Sequence, residues 1–75
     1  MLAYVMIQLK KCDEKDFFHE LKKMDCVKDV NVLFGDWDII VKVEFNEPED
    51  LAAFMMGKVR ARDDVKNTST LIAAK

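Results

Sequence analysis

From Trp37 to Phe45 the chain keeps a period of two. Trp37, Ile39, Val41, Val43 and Phe45 take one side, and Asp38, Ile40, Lys42 and Glu44 the other. That period specifies a half-buried strand and fixes its register, because a slip of one residue would turn the whole apolar set toward water. Phe34-Gly35-Asp36 stands directly before it, after a second apolar stretch, Val27 to Phe34. Gly35 reaches φ > 0 without steric cost, so the two stretches are expected to form an antiparallel hairpin. In the second stretch Val30, Val32 and Phe34 share one side, and Val27 and Leu33 the other.

The remaining elements follow from this hairpin. Leu2 to Leu9 reads as a strand that is apolar on both faces, with Ala3, Val5, Ile7 and Leu9 on one side and Leu2, Tyr4 and Met6 on the other. Asp13 suits a helix N-cap, with Asp16 three residues on. Phe17, Phe18, Leu21 and Met24 then recur at helical spacing, while Glu14, Lys15, Glu20, Lys22 and Lys23 face water. Asn46 suits the cap of a second helix, Pro48 its first turn, and Glu47, Glu49 and Asp50 its positive end. Leu51, Phe54, Met55 and Val59 form its apolar stripe. Arg60 and Arg62 suit its C-terminal end, Asp63-Asp64 marks its exit, and Val65 to Ala74 reads as the last strand.

The order β-α-β-β-α-β predicts an α+β, ferredoxin-like domain over residues 1–75. Such a domain is a four-stranded antiparallel sheet with both helices on one face. Two helices cover only one face, so Leu2, Tyr4, Met6 and Ile40, or the opposite set, would lie bare in a lone subunit. Bare contiguous apolar surface marks an interaction site, and the sheet is expected to pack on a second copy. The length points the same way. A chain of 75 residues buries only about 60% of its unfolded surface and is marginal as a monomer.

Charge and composition exclude several classes. Net charge is −2, and Lys10-Lys11 and Lys22-Lys23 are flanked by acids, so no basic surface for direct nucleic-acid binding is expected. No apolar run approaches the ~20 residues of a membrane span. There is no signal-peptide pattern, and a cytoplasmic location is expected. Cys12 and Cys26 bracket the first helix, which would hold them about 18 Å apart, too far for a disulfide. Nothing in their spacing suggests zinc, and free thiols are expected.

The turn and the last strand carry the candidate chemistry. Asp36 and Asp38 offer acceptors to an ammonium group. Backbone N–H groups near Gly35 and the hydroxyls of Thr68, Ser69 and Thr70 offer donors to a carboxylate. The same residues also make an ordinary Gly-Asp hairpin turn and an edge strand of high β propensity.

Three stretches carry a resemblance: Ala3-Tyr4-Val5-Met6-Ile7-Gln8-Leu9-Lys10, Gly35-Asp36-Trp37-Asp38-Ile39-Ile40-Val41-Lys42-Val43, and Val65-Lys66-Asn67-Thr68-Ser69-Thr70-Leu71-Ile72. Together they resemble the C-terminal effector (RAM) domain of the Lrp/AsnC transcription regulators, over essentially the whole chain. No helix-turn-helix is recognised, so the resemblance is to the stand-alone form of that domain. It implies an αβ-sandwich that dimerises through its sheets, dimers that assemble into octamers or similar rings, and a small amino acid bound between dimers. It implies ligand contacts at Gly35, Asp36 and Asp38 and at the hydroxyls of Thr68 and Thr70. It also implies co-assembly with full-length regulators of the family, and no catalysis, cofactor or metal. Phe34 stands where many members carry a small or hydroxyl residue, which would reshape the pocket. Cys12 stands where the first turn often has glycine.

Two rival readings remain at this level. One is an assembly module without a ligand. The other is a small cofactor-free enzyme on the same fold, for which only His19 or Asp38 offers an acid–base group. Met6, Met24, Met55 and Met56 read as core fillers, Trp37 as packing on the sheet, and Asp63-Asp64 as a solvated helix exit.

Overall fold

The computed structural model describes residues 1–10 and 14–74. The elements run β1 (Leu2–Leu9), α1 (Glu14–Lys22), β2 (Val27–Val32), β3 (Ile39–Glu44), α2 (Pro48–Phe54), a π-helical turn (Met55–Val59) and β4 (Val65–Ile72). All strand pairs are antiparallel, in the order β2-β3-β1-β4. This is the expected α+β ferredoxin-like arrangement. The expected Asp13 cap, Cys12 and Lys11 lie outside the described residues. Cys26 is a free, half-buried cysteine whose thiol is pushed above its ordinary pKa by burial.

The period of two divides the sheet into unlike faces. Ala3, Val5, Ile7, Ile39 and Val41 are wholly buried and form one core with Phe17, Leu21, Leu51, Phe54 and Val59. The opposite face carries Tyr4 beside Leu71 and Lys42, and Met6 beside Ile40 and Ser69. Tyr4, Met6 and Ile40 there are half-buried, whereas Leu71 is exposed. The helices thus cover the face that includes Val5, and the bare set is Leu2, Tyr4, Met6 and Ile40, extended by Leu71.

Several expectations need correction. β2 stops at Val32, so Phe34 lies in the loop and points entirely into solvent, and Val32 is exposed. A bulge between Val27 and Asp29 sets Val27 opposite Val43 and Val30 opposite Val41. The extra residue turns Val27 to the core side, where it packs against the core. Glu47, not Asn46, caps α2. Its backbone N–H donates to the Asp50 carboxylate at 3.2 Å, reciprocating across the first turn. Met24 and Met55 pack against the core, but Met56 is exposed. The π turn widens the helix there, with Arg60 N donating to Met55 O at 2.7 Å. That extra residue keeps Phe54 and Val59, five apart, on the buried side and leaves Met56 outside.

Arg62 fastens α1 to the approach of β4. Its guanidinium donates to both Asp64 oxygens, at 2.9 and 3.0 Å, and to Glu20, and it lies 4.4 Å from the centre of the Phe17 ring. Asp64 is therefore half of a forked ion pair, not a solvated exit.

Candidate ligand site

β1 and β3 are antiparallel neighbours, and so are β1 and β4. The connections leaving β1, entering β3 and entering β4 therefore meet at one end of the sheet. Two bonds mark the convergence: Asp38 N donates to Ile7 O at 2.9 Å, and Lys10 N donates to Asp64 O at 2.7 Å. The candidate residues fall at this end.

The β2–β3 loop is closed at its base and open at its tip. Leu33 N donates to Asp38 O at 2.8 Å, and Asp38 Oδ2 accepts the N–H of Leu9 at 2.7 Å. Asp38 thus holds the loop against the end of β1 through one carboxylate oxygen. At the tip Gly35 has φ +131°, and a β-carbon there would meet nothing within 4 Å. Phe34, Gly35 and Asp36 are all exposed. A hollow of about 160 Å³ lies beside the loop, lined among the described residues by Glu14, Val32, Leu33, Phe34 and Asp38.

The hydroxyl stretch is divided by the strand alternation. Thr68 pairs with Ile7 and Thr70 with Val5, on the helix side, whereas Ser69 pairs with Met6 on the bare face. One ligand cannot meet all three. β4 lies across β1 from β3, so Thr68 is about 10 Å from Ile39, two strand spacings away. Thr68 lines a separate hollow of about 310 Å³ with Arg60, Val65, Lys66 and Asn67. One chain therefore brings Phe34, Gly35, Asp36 and Asp38 together, but not Thr68, Ser69 or Thr70 with them.

Two features were not seen from sequence as part of a site. Glu14, read as a solvated residue of α1, faces the loop hollow. Arg60 and Lys66 flank Thr68. The available signal was topological: the order of the strands already places the start of α1 beside the start of β3. His19 is exposed, with its ring edge-on to Phe18 at 5.7 Å, so this one of the two acid–base candidates has no enclosed setting. Trp37 is half-buried beside the loop. No group of three or more His, Cys, Asp or Glu among the described residues is placed to hold a metal. No helix among the described residues is long and apolar enough to cross a membrane.

An open antiparallel sheet with helices on one face, and a glycine-tipped loop at its end, defines a ferredoxin-like domain. The sequence matches the family model of the Lrp/AsnC ligand binding domain over residues 2–75, and the chain belongs to that family. This is a ligand-binding regulatory domain of transcription regulators, not an enzyme family. A comparison with the curated proteins finds no match. Among solved structures, a hypothetical protein from Pyrococcus horikoshii is 32% identical; the match covers 99% of this chain and 89% of that one, with a TM-score of 0.89. AsnC of E. coli is 23% identical, with 99% and 50% covered and a TM-score of 0.85. A transcriptional regulator of Neisseria meningitidis, solved as an L-methionine complex, is 17% identical, with 99% and 49% covered and a TM-score of 0.86. The chain spans about half the length of these two regulators.

Proposed function

We propose that this chain is a single effector domain that binds a small amino acid, assembles with copies of itself, and modulates transcription regulators of its own family by co-assembly in the cytoplasm. The observation that carries the reading is a bare apolar sheet face bordered at one end by an open, glycine-tipped loop. Leu2, Tyr4, Met6, Ile40 and Leu71 form a continuous stripe. At about 25 cal/mol per Å², covering it stabilises a pair by several kcal/mol, comparable to the whole stability of a small domain. The L-methionine bound by the Neisseria regulator supports an amino acid as the ligand class. Phe34, Gly35, Asp36 and Asp38 supply one wall of the site. Because Thr68 and Thr70 lie apart from it, a neighbouring subunit supplies the hydroxyl wall.

Calorimetric titration with the twenty amino acids, paired with light scattering, tests both halves. Binding heat together with a shift in assembly size is the expected result. Silence toward every amino acid defeats the ligand half, and a stable monomer at micromolar concentration defeats the assembly half.

A second reading, an assembly module without a ligand, is favoured by one observation: Asp38 already spends an oxygen on Leu9. Asp36→Ala and Thr70→Ala separate the two. Both variants assemble normally under either reading, and both abolish a ligand response under the first.

A further inference from the structure

We infer that the outward face of α2 and its π turn is a second self-contact, in which two copies lie antiparallel across a two-fold axis and join sheet-paired dimers into a larger closed assembly. The inference rests on the sheet pairing proposed above and uses the opposite side of the layer. Glu49, Ala52, Ala53, Met56 and Arg60 are exposed and spaced as one outward stripe, away from the buried Leu51, Phe54 and Val59. Of the exposed large apolar side chains among the described residues, Met56 alone lies on the helical layer, and it is 72% exposed. Charge is sorted along this face. Glu47, Glu49 and Asp50 stand at one end, and Lys58 and Arg60 at the other, all exposed. Glu47 and Asp50 close the capping box, which leaves Glu49 outside it.

A face with unlike ends is complementary to its own reversed copy. One register satisfies every position: Glu49 against the partner's Arg60, Ala52 against the partner's Gly57, and Met56 against the partner's Ala53. Glu49 and Arg60 lie roughly 15 Å apart along the axis, so an ion pair closes each end of the contact. Met56 then fills the notch left by a short alanine side chain and leaves water. Gly57 supplies an independent reason. Its φ lies outside the left-handed region, and a β-carbon there meets nothing within 4 Å, so the single subunit does not require a glycine at this point. Glycine weakens a helix, and the close approach of a second backbone gives it a purpose. One such helix pair falls short of the roughly 1,000 Å² of a durable interface. It therefore acts between sheet-paired dimers, each of which presents the face twice, and ring closure makes the last contact intramolecular.

Sedimentation velocity over a concentration series tests this on the intact chain. The unaltered chain forms species larger than a dimer. Glu49→Arg and Arg60→Glu each turn both ion pairs into repulsions, and each raises the concentration needed for the larger species by at least about tenfold, leaving sheet-paired dimers. Mixing the two variants restores the larger species, because each then meets an opposite charge at both ends. The double exchange within one chain restores it too, with net charge unchanged. A folding defect could not be rescued by mixing, and circular dichroism checks each variant. An unaltered chain that stops at the dimer overturns the inference and leaves the sheet pairing standing. So do single variants that assemble like the unaltered chain, and single variants that fall to dimers without rescue. An unaltered chain that sediments as a monomer removes both.

Discussion

Asp38 and Asp36, two positions apart, do different work. Asp38 satisfies the N–H of Leu9, which is only 7% exposed. Asp38→Ala leaves that donor without a partner, and we expect a loss of about 2 kcal/mol in urea unfolding. Asp38→Asn keeps an acceptor oxygen and recovers most of it. Asp36 is exposed, and Asp36→Ala should leave stability within about 0.5 kcal/mol. Between them in effect lies Gly35: at φ +131° any side chain is strained, though nothing crowds it. Gly35→Ala should cost about 1–3 kcal/mol for backbone reasons alone. Arg62 gives a pH signature. Its guanidinium donates to Asp64 and holds that carboxyl below the ordinary aspartate pKa. The folded value lies below the unfolded one. The contribution is therefore complete above about pH 4 and disappears as pH falls through the folded value. Arg62→Ala should lower stability at pH 7 by about 1 kcal/mol, a modest figure because Glu20 and Asp64 remain within reach of water. It should also flatten the acid limb of the stability curve, which urea titrations between pH 2 and 7 would show.

At the scale of elements, the alternation legible in Leu2–Leu9 and Ile39–Glu44 fixed both faces of the central strands. The helical spacing of Phe17 with Leu21, and of Leu51 with Phe54, placed both helices. What was not legible depends on insertions of a single residue. The bulge at Val27 and Asp29 and the π turn at Met55–Val59 each add one residue to a regular repeat. A strict period of 2 then assigns the wrong side to Val27, whereas the helical stripe Leu51, Phe54, Met55 and Val59 holds and Met56, read as a core filler from its residue type, lies outside. The site shows the same limit. Its loop was visible because glycine and aspartate mark turns, but Glu14 entered through topology, which no local pattern encodes. The π turn offers its own test. A β-carbon at Gly57 meets nothing within 4 Å, and its φ lies outside the left-handed region. Gly57→Ala should therefore raise stability by about 0.5–1 kcal/mol through the unfolded chain, measurable as a higher urea midpoint with unchanged slope.

For the molecule as a whole, the proposed pairing makes stability depend on concentration. The melting temperature of the unaltered chain should rise with protein concentration, because anything that binds only the folded state stabilises it by mass action. Ile40→Lys sets a charge at the centre of the bare stripe, between Met6 and Asn31. It should yield a monomer by light scattering and abolish the concentration dependence. A dimer that survives this change would move the contact elsewhere. The strand order has a separate consequence, for biosynthesis. β1 is emitted early by the ribosome, yet it occupies the middle of the sheet, and one flank waits for β4; the Gln8–Asn67 side-chain bond spans 59 positions. A nascent chain stalled before β4 carries a greasy ribbon with an unsatisfied backbone edge. That intermediate is the natural client of a holdase, and truncation there should send the polypeptide to aggregates or proteolysis instead of a smaller native fold.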